Sequence, residues 1–283
     1  MALLWYFGSI HLILLLSMPK TVAHLEFKVS VRDIKMRCIE KERVALLSFK
    51  QKVVDNYDIL SSWDTDVNSD CCNWRGVKCS NINTTTHQHI IGLDLHGSYN
   101  YEWYLMGEVS SSLTQLSHLN YLDLSLNWFG RVVLEDIASL IDLDYLNLSY
   151  NAFATLIPPD LGNLSKLYVL DLRSNYWLNH NFEWLISSSF SSLKYLDLRL
   201  VNFYGAYDWA ISISKLPLLQ RGLLFDFLKA FPPCMLHSFE SLYLGANNMS
   251  GFLPNFIMLP SLKELDLSHN ILSETIPQNE LLM

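Results

Sequence analysis

The sequence contains none of the short motifs that accompany the common enzyme chemistries. There is no G-x-S-x-G nucleophile motif, no glycine-rich phosphate loop, no H-E-x-x-H metal motif and no set of kinase signatures. The nine histidines are scattered along the chain. These absences predict a protein that is not an enzyme, and the residue spacing predicts no cofactor and no metal site.

Positive charge is also scarce. The chain has 20 Lys and Arg against 28 Asp and Glu, which gives a formal net charge of −8 at pH 7. Nucleic acids and anionic membrane surfaces are polyanions that attract basic proteins. We therefore expect neither of them to be the main partner.

Only one long apolar run occurs. The stretch "ALLWYFGSIHLILLLSM" covers residues 2–18, and the small residues "TVA" follow at 21–23. This order is typical of a cleaved secretory signal peptide, which we place at residues 1–23. An uncleaved membrane anchor is the alternative, since no basic residue precedes the run and His11 interrupts it, but the run is short for a span. We expect no other membrane span and a secreted or cell-surface location.

The five cysteines are unevenly spaced. Three of them lie in "DCCNWRGVKC" at residues 70–79, and Cys38 precedes this segment. Zinc sites usually have paired Cys or His ligands twice over, and only one such pair occurs here. Adjacent cysteines rarely bridge each other, so the simpler interpretation is two disulfides, Cys38–Cys71 and Cys72–Cys79. Cys234 is left over; we expect a buried inert thiol, with a reactive or intermolecular thiol as the alternative.

From residue 119 onward the chain repeats itself. The segment "LNYLDLSLNWF" at 119–129 recurs in related form at 143–153, 167–177, 193–203, 239–249 and 262–272. A weaker copy aligns on Leu219, and a first copy begins near Ile90. Two leucines spaced as L-x-L point to the same side of a strand, so stacked copies predict a parallel sheet over a continuous leucine core. The asparagines that end the copies are predicted to bond to the backbone of neighbouring copies: Asn127, Asn151, Asn175 and Asn270.

A helix is predicted before the repeats. Between Glu40 and Val54, apolar residues fall at helical spacings: Val44, Leu46, Leu47, Phe49 and Val53. One face of this helix can cover the open end of the first repeat. Trp63 and Trp74 are expected to pack in the same core.

These features together resemble a known family. "RCIEKERVALLSFKQKV", "LSSW", the paired cysteines, repeats of about 24 residues and the segment "NAFATLIPPDLGNLSKL" are similar to plant extracellular leucine-rich repeat proteins. The resemblance is to receptor-like proteins and receptor-kinase ectodomains, and it suggests a truncated member. It implies an α/β leucine-rich-repeat solenoid: a curved horseshoe with a parallel β-sheet on the concave face, an irregular or 3-10 convex side and a disulfide-stapled helical cap.

The implied organisation has three parts. Residues 1–23 form the signal peptide, 24–88 the N-terminal cap with its two disulfides, and 89–283 about eight repeats. The repeat at 216–238 is degenerate, and the last is incomplete.

The resemblance also implies a function. We expect a recognition module that binds a peptide, glycan or protein ligand, with a co-receptor kinase as a further partner, in defence or development. The alternative is a secreted inhibitor of microbial wall-degrading enzymes, similar to polygalacturonase inhibitors.

The side chains that flank L-x-L are predicted to face solvent on the concave side, where a ligand would bind. The candidates are Tyr121, Asp123, Tyr145, Asp171, Arg173, Tyr195, Asp197, Arg199 and Tyr243. Tyrosine and arginine are enriched at interface hot spots. The alternative for the aspartates is that they only order the surface. Four N-x-S/T sequons predict glycans at Asn83, Asn147, Asn163 and Asn248, and a glycan at Asn147 would cover part of the concave face.

Overall fold

The structure is a computed structural model. It describes residues 37–66, 69–80, 87–132, 134–154, 156–175, 184, 190, 192–201, 203, 240–252 and 261–273. The predicted signal peptide, the degenerate repeat at 216–238, Cys234 and the sequon at Asn83 lie outside these residues.

Short strands and few helices make up the described chain. The helices are α1 (Glu40–Lys50) and α2 (Leu134–Ile137), and 3-10 turns occur at Cys71–Asn73, Ser111–Gln115 and Pro159–Asn163. The strands are β1 (Arg37–Cys38), β2 (Val53–Val54), β3 (Val77–Cys79), β4 (His87–Gln88), β5 (Ile90–Asp94), β6 (Met106–Val109), β7 (Tyr121–Asp123), β8 (Trp128–Val132), β9 (Tyr145–Asn147), β10 (Val169–Asp171), β11 (Tyr195–Asp197), β12 (Ser241–Tyr243), β13 (Ser250–Phe252), β14 (Glu264–Asp266) and β15 (Ile271–Ser273).

One strand from each described repeat enters the main sheet. Its order is β14-β12-β11-β10-β9-β7-β5-β3, and all neighbours are parallel except β3 and β5. The central leucines stand in one row across the strands: Leu93, Leu122, Leu146, Leu170, Leu196, Leu242 and Leu265. The predicted leucine-rich-repeat solenoid is confirmed.

Leucines fill the space behind this sheet. The leading leucine and the L-x-L pair are fully buried in four successive repeats: Leu119, Leu122 and Leu124, then Leu143, Leu146 and Leu148, then Leu167, Leu170 and Leu172, then Leu193, Leu196 and Leu198. Burying one leucine contributes about 1.5–3 kcal/mol. Each repeat therefore adds several kcal/mol, provided that neighbouring repeats cover it.

Asparagines link the backbones of successive repeats where the strands end. The Asn127 amide nitrogen donates to the carbonyls of Leu95, at 2.8 Å, and Leu124, at 3.0 Å. Its Oδ1 accepts from the Leu105 amide at 2.7 Å. Asn151, Asn175 and Asn270 make equivalent bonds, as predicted.

This asparagine ladder is interrupted between β11 and β12. Val201 occupies the ladder position of the β11 repeat and is fully buried. Tyr195 nevertheless pairs directly with Ser241, 46 residues further along the chain. The ladder resumes at Asn247, which the sequence analysis missed, with bonds to the carbonyls of Leu198 and Leu244 at 2.8 and 3.0 Å. The leucine pattern is therefore enough to hold the strand register where an asparagine is missing.

The cap covers the first repeat with one face of α1. This helix ends at Lys50, earlier than predicted, because Val53 and Val54 pair with β6 in an antiparallel ladder. Ala45, Leu46 and Phe49 are buried, whereas Val44 points outward and is 49% exposed. The rings of Trp63 and Trp74 stack at 5.6 Å inside the cap, as predicted for core residues.

Both predicted disulfides are present. Cys38 bridges Cys71 and Cys72 bridges Cys79, with Cα–Cα distances of 5.7 and 5.5 Å. Besides the main sheet, the described residues form three small sheets, β1-β4, β2-β6-β8 and β13-β15. No helix within the described residues has the length and hydropathy needed to cross a membrane.

Candidate functional site: the exposed face of the main sheet

Strand register aligns the candidate side chains in columns. The first column contains Gly92, Tyr121, Tyr145, Val169, Tyr195, Ser241 and Glu264. The second column contains Asp94, Asp123, Asn147, Asp171, Asp197, Tyr243 and Asp266. Arg173 and Arg199 lie two residues beyond the second column in adjacent repeats. All nine predicted site residues therefore lie on one face of the sheet, and their role in binding stays a prediction.

The tyrosines form two pairs. The rings of Tyr121 and Tyr145 stack at a centroid distance of 4.4 Å with 8° between their planes. Val169 separates this pair from Tyr195, whose ring instead contacts Tyr243 at 5.4 Å. Partial burial, followed by the charge of Asp123, raises the pKa of Tyr121 and Tyr145 above the usual value. The phenols therefore stay neutral and can donate hydrogen bonds.

The aspartates of the second column are less accessible than the sequence predicts. Asp123, Asp171 and Asp197 are only 6%, 5% and 0% exposed. They are covered because neighbouring side chains bond to them across the strands. Asp123, for example, accepts from Tyr145 Oη at 3.3 Å and from Asn147 Nδ2 at 3.2 Å.

These aspartates also hold the backbone in place at the turn that follows each strand. Each carboxylate accepts the backbone N–H two residues later, at 2.9 Å for Asp123 and 3.1 Å for both Asp171 and Asp197. Such bonds are typical of Asp in tight turns. This geometry supports the alternative that the aspartates order the surface.

The two arginines lie above these carboxylates. Asp197 Oδ2 is 3.2 Å from Arg173 Nη1 and 2.5 Å from Arg199 Nη2. Arg173 Nε also lies 3.4 Å from Asp171 Oδ2. The two side chains stay 23% and 33% exposed, so both remain partly accessible to solvent.

Burial is the main influence on the protonation of Asp171. It raises the pKa of Asp171 to about 7, the nearby charge of Asp197 adds to the effect, and Arg173 opposes it. The hydrogen bond to Asp197 raises the pKa of Arg199, which stays protonated. Both arginines therefore pair mainly with the carboxylate of Asp197.

The sequons within the described residues differ in accessibility. Asn147 is half-buried, and its amide nitrogen donates to Asp123 and, at 3.4 Å, to Tyr145 Oη. Asn163 and Asn248 are exposed. An amide that already bonds within the sheet is a poorer place for a sugar than an exposed one, although glycosylation at all four sequons stays a prediction.

The family model "Leucine rich repeat N-terminal domain" matches residues 39–80, and "Leucine Rich Repeat" matches 142–164 and 261–279. The first model describes the domain that precedes the repeats, the second describes the repeats, and neither describes an enzyme. The chain is 35% identical over 273 residues to receptor-like protein EIX1 of Solanum lycopersicum, a match that covers 89% of this chain and 26% of that protein. The chain spans about a quarter or less of the length of the curated relatives it matches.

Solved structures show the same fold. The pollen receptor kinase 3 structure is 19% identical with a TM-score of 0.56, and the match covers 82% of this chain and 97% of that one. The GASSHO1/SCHENGEN3 ectodomain of Arabidopsis thaliana is 23% identical with a TM-score of 0.53, and the match covers 83% and 31% of the two chains. The chain carries a leucine-rich-repeat N-terminal domain and leucine-rich repeats, and its homologues over most of its length are plant receptor-like proteins.

Proposed function

We propose that this chain is an extracellular recognition module of a plant cell-surface receptor-like protein. The signal peptide at 1–23 would direct the chain into the secretory pathway. Its exposed sheet face would bind a peptide or protein ligand, and a co-receptor kinase would be a second partner. The similarity to EIX1 over 89% of the chain supports the receptor type. The GASSHO1/SCHENGEN3 ectodomain, which shares the fold, was solved in complex with CASPARIAN STRIP INTEGRITY FACTOR 2.

The observation that carries the proposal is the stacked pair Tyr121 and Tyr145. Both rings stand on strands whose backbones are hydrogen-bonded on each side, so little conformational freedom is lost when a ligand binds. Burial raises the pKa of Tyr121 most, and the nearby charges of Asp123 and Asp94 raise it further. Neutral aromatic rings beside carboxylates suit a basic side chain of a peptide, through cation–π contact and charge.

The arginines would have a smaller role. Arg173 and Arg199 already pair with Asp197, so an acidic group of the ligand competes with an existing partner. Breaking such a pair offsets much of what the new contact contributes. We therefore propose that the tyrosines anchor the ligand and that the arginines orient it.

A peptide library displayed on phage tests this assignment. Peptides enriched on the secreted wild-type protein should contain Lys or Arg, and their affinity should fall about tenfold or more in the double variant Tyr121→Ala/Tyr145→Ala, a loss of about 1.4 kcal/mol. The control is Leu156→Ala, since Leu156 is 61% exposed and lies outside the main sheet.

Equal binding to the wild type and the double variant would contradict the proposed surface. If the protein binds only glycans, the ligand class is glycan and not peptide. If it inhibits polygalacturonase and enriches no peptide, the chain is an inhibitor and not a peptide receptor. Unfolding temperatures of all three proteins should be measured first, so that a loss of binding is not a loss of folding.

A further inference from the structure

We propose that Glu42, His89 and His118 bind a divalent transition-metal ion, with zinc as the reference ion, at the junction between the cap and the first two repeats. One ligand atom from each of the three side chains lies within 4.8 Å of the others. The residues come from three separate segments: Glu42 from α1, His89 from the residue before β5, and His118 from the residue before the leading Leu119.

Glu42 is the central group. It is only 3% exposed, which is unusual for a carboxylate, since burying a charge is costly unless it is paired and hydrogen-bonded. Its Oε2 accepts the Ile90 amide at 2.8 Å, and its Oε1 lies 3.0 Å from His89 Nδ1. Helix α1 thus places one carboxylate oxygen beside an imidazole nitrogen while the other stays bonded to the backbone.

The second imidazole is already next to the first. The rings of His89 and His118 lie 3.8 Å apart with 23° between their planes. The repeat pattern does not require histidine there, because the residues before the leading leucine in later repeats are Asp142, Lys166 and Ser192. His118 is exposed, so its side chain can rotate without disturbing the leucine core.

Two imidazoles and one carboxylate are a ligand set that zinc uses in proteins. Zinc–nitrogen bonds of about 2.0–2.1 Å and zinc–oxygen bonds of about 2.0–2.2 Å put tetrahedral ligand atoms about 3.3 Å apart. The 3.0 Å separation of Glu42 Oε1 and His89 Nδ1 is close to this value, and rotation of His118 brings in the third ligand. The bond from the Ile90 amide to Glu42 Oε2 would hold the carboxylate in place, as outer-shell groups do in metal sites.

An ion at this point would link α1 to both the first and the second repeat. Because it binds only when the cap is docked, it would stabilise the folded chain, and the stabilisation would grow with the logarithm of the free ion concentration. The two disulfides lie within the cap and do not reach the repeat that begins at Leu119. The metal would therefore be a cross-link between the cap and the solenoid.

The test uses the full secreted chain, produced without a histidine tag, treated with EDTA and titrated with Zn²⁺. We expect one Zn²⁺ per chain by calorimetry, a higher unfolding temperature with Zn²⁺, and visible d–d absorption of tetrahedral type with Co²⁺. Loss of an outer-shell partner weakens metal binding by about 10–100-fold, so loss of a direct ligand in His118→Ala should weaken Zn²⁺ binding by at least about tenfold. Its unfolding temperature in EDTA should match that of the wild type.

The matched control is His96→Asn. His96 also pairs with a carboxylate, with its Nδ1 2.6 Å from Asp94 Oδ1, but it belongs to no three-ligand group within the described residues. His96→Asn should therefore bind Zn²⁺ like the wild type. The proposal is overturned if the wild type shows no Zn²⁺-dependent change, or if His118→Ala binds Zn²⁺ with wild-type affinity. Glu42→Gln is a second variant that removes a proposed ligand, but it also alters the bond from the Ile90 amide to Glu42 Oε2. His118→Ala leaves that bond intact and therefore decides the test.

Discussion

The N-terminal cap, residues 37–80, and the repeats between residues 119 and 175 are stabilised in different ways. In the cap each stabilising contact occurs once, as in the Cys38–Cys71 bridge and the stack of Trp63 on Trp74. In the repeats the same contacts recur, with fully buried leucines and an equivalent asparagine in each repeat. Loss of one cap contact therefore has no substitute, whereas a repeat that loses one contact keeps identical ones on both sides.

This difference explains where a defect is tolerated. Val201 breaks the asparagine ladder, yet β11 and β12 stay in register because their leucines still pack and their backbones still pair. The cap has no comparable redundancy, and it covers the end of the leucine core. Repeat proteins depend on such capping units because an uncovered repeat exposes apolar surface.

The largest expected effect comes from removing the cap bridges. The sequence separations are 33 residues for Cys38–Cys71 and 7 for Cys72–Cys79. The loop-entropy relation gives a loss of about 4 kcal/mol for Cys38→Ser/Cys71→Ser and about 2.5 kcal/mol for Cys72→Ser/Cys79→Ser. Urea unfolding of the secreted variants measures both. An equal or larger loss for the shorter bridge would show that cap docking, and not loop closure, determines the effect.

The sequence predicted the repetitive part well because leucine spacing translates directly into strand geometry. The row from Leu93 to Leu265, the two disulfides and the ladder at Asn127, Asn151, Asn175 and Asn270 were all correct. The end of α1 was wrong, because the strand pairing of Val53 with Gly107 depends on a segment far along the chain. Asn247 was missed, although it holds the same position in the copy at 239–249 as Asn127 holds in the copy at 119–129.

The candidate site was only partly predictable. Alternation along a strand places Tyr145 and Asp171 on the exposed face, but it does not show which side chains cover their neighbours. Asp197 is buried beneath Arg173, which comes from the preceding repeat, and Arg199, which lies two residues further along its own repeat. The group of Glu42, His89 and His118 carries no spacing motif, since its members meet only when the cap docks.

A smaller effect is expected when an intact repeat is made to resemble the interrupted one. Asn151→Val removes bonds to the Phe129 amide, at 3.1 Å, and to the carbonyls of Leu124 and Leu148. Buried backbone groups left unsatisfied should lower the free energy of unfolding by about 2–3 kcal/mol. Urea unfolding is the measurement.

Lys166→Ala is the control for this change. Lys166 Nζ lies 2.6 Å from Asp142 Oδ1 and also joins the repeat of Asn151 to a neighbour, but both side chains are exposed. Exposed ion pairs contribute at most about 0.5–1 kcal/mol. If Lys166→Ala costs as much as Asn151→Val, the buried ladder is not what links the repeats.

The smallest expected effect is a pH dependence that distinguishes two aspartates of the same column. Burial raises the pKa of Asp171 from the reference value of 3.8 to about 7. The folded chain therefore holds this proton more tightly than the unfolded chain, and the contribution of Asp171 to stability falls as the pH rises from about 4 to about 7. Asp171→Asn removes this dependence, so the variant should gain stability relative to the wild type across that interval and keep a constant difference above it.

Asp266 should show the opposite sign. Hydrogen bonds from Ser268 lower the pKa of Asp266 below 3.8, so its contribution is present above the unfolded pKa and is lost as the pH falls through the folded value. Asp266→Asn should therefore cost stability at neutral pH and nothing in strong acid. Urea unfolding of both variants and the wild type at a series of pH values gives the two differences. Parallel curves for Asp171→Asn and Asp266→Asn would contradict the assignment, because burial and hydrogen bonding must act on a carboxylate in opposite directions.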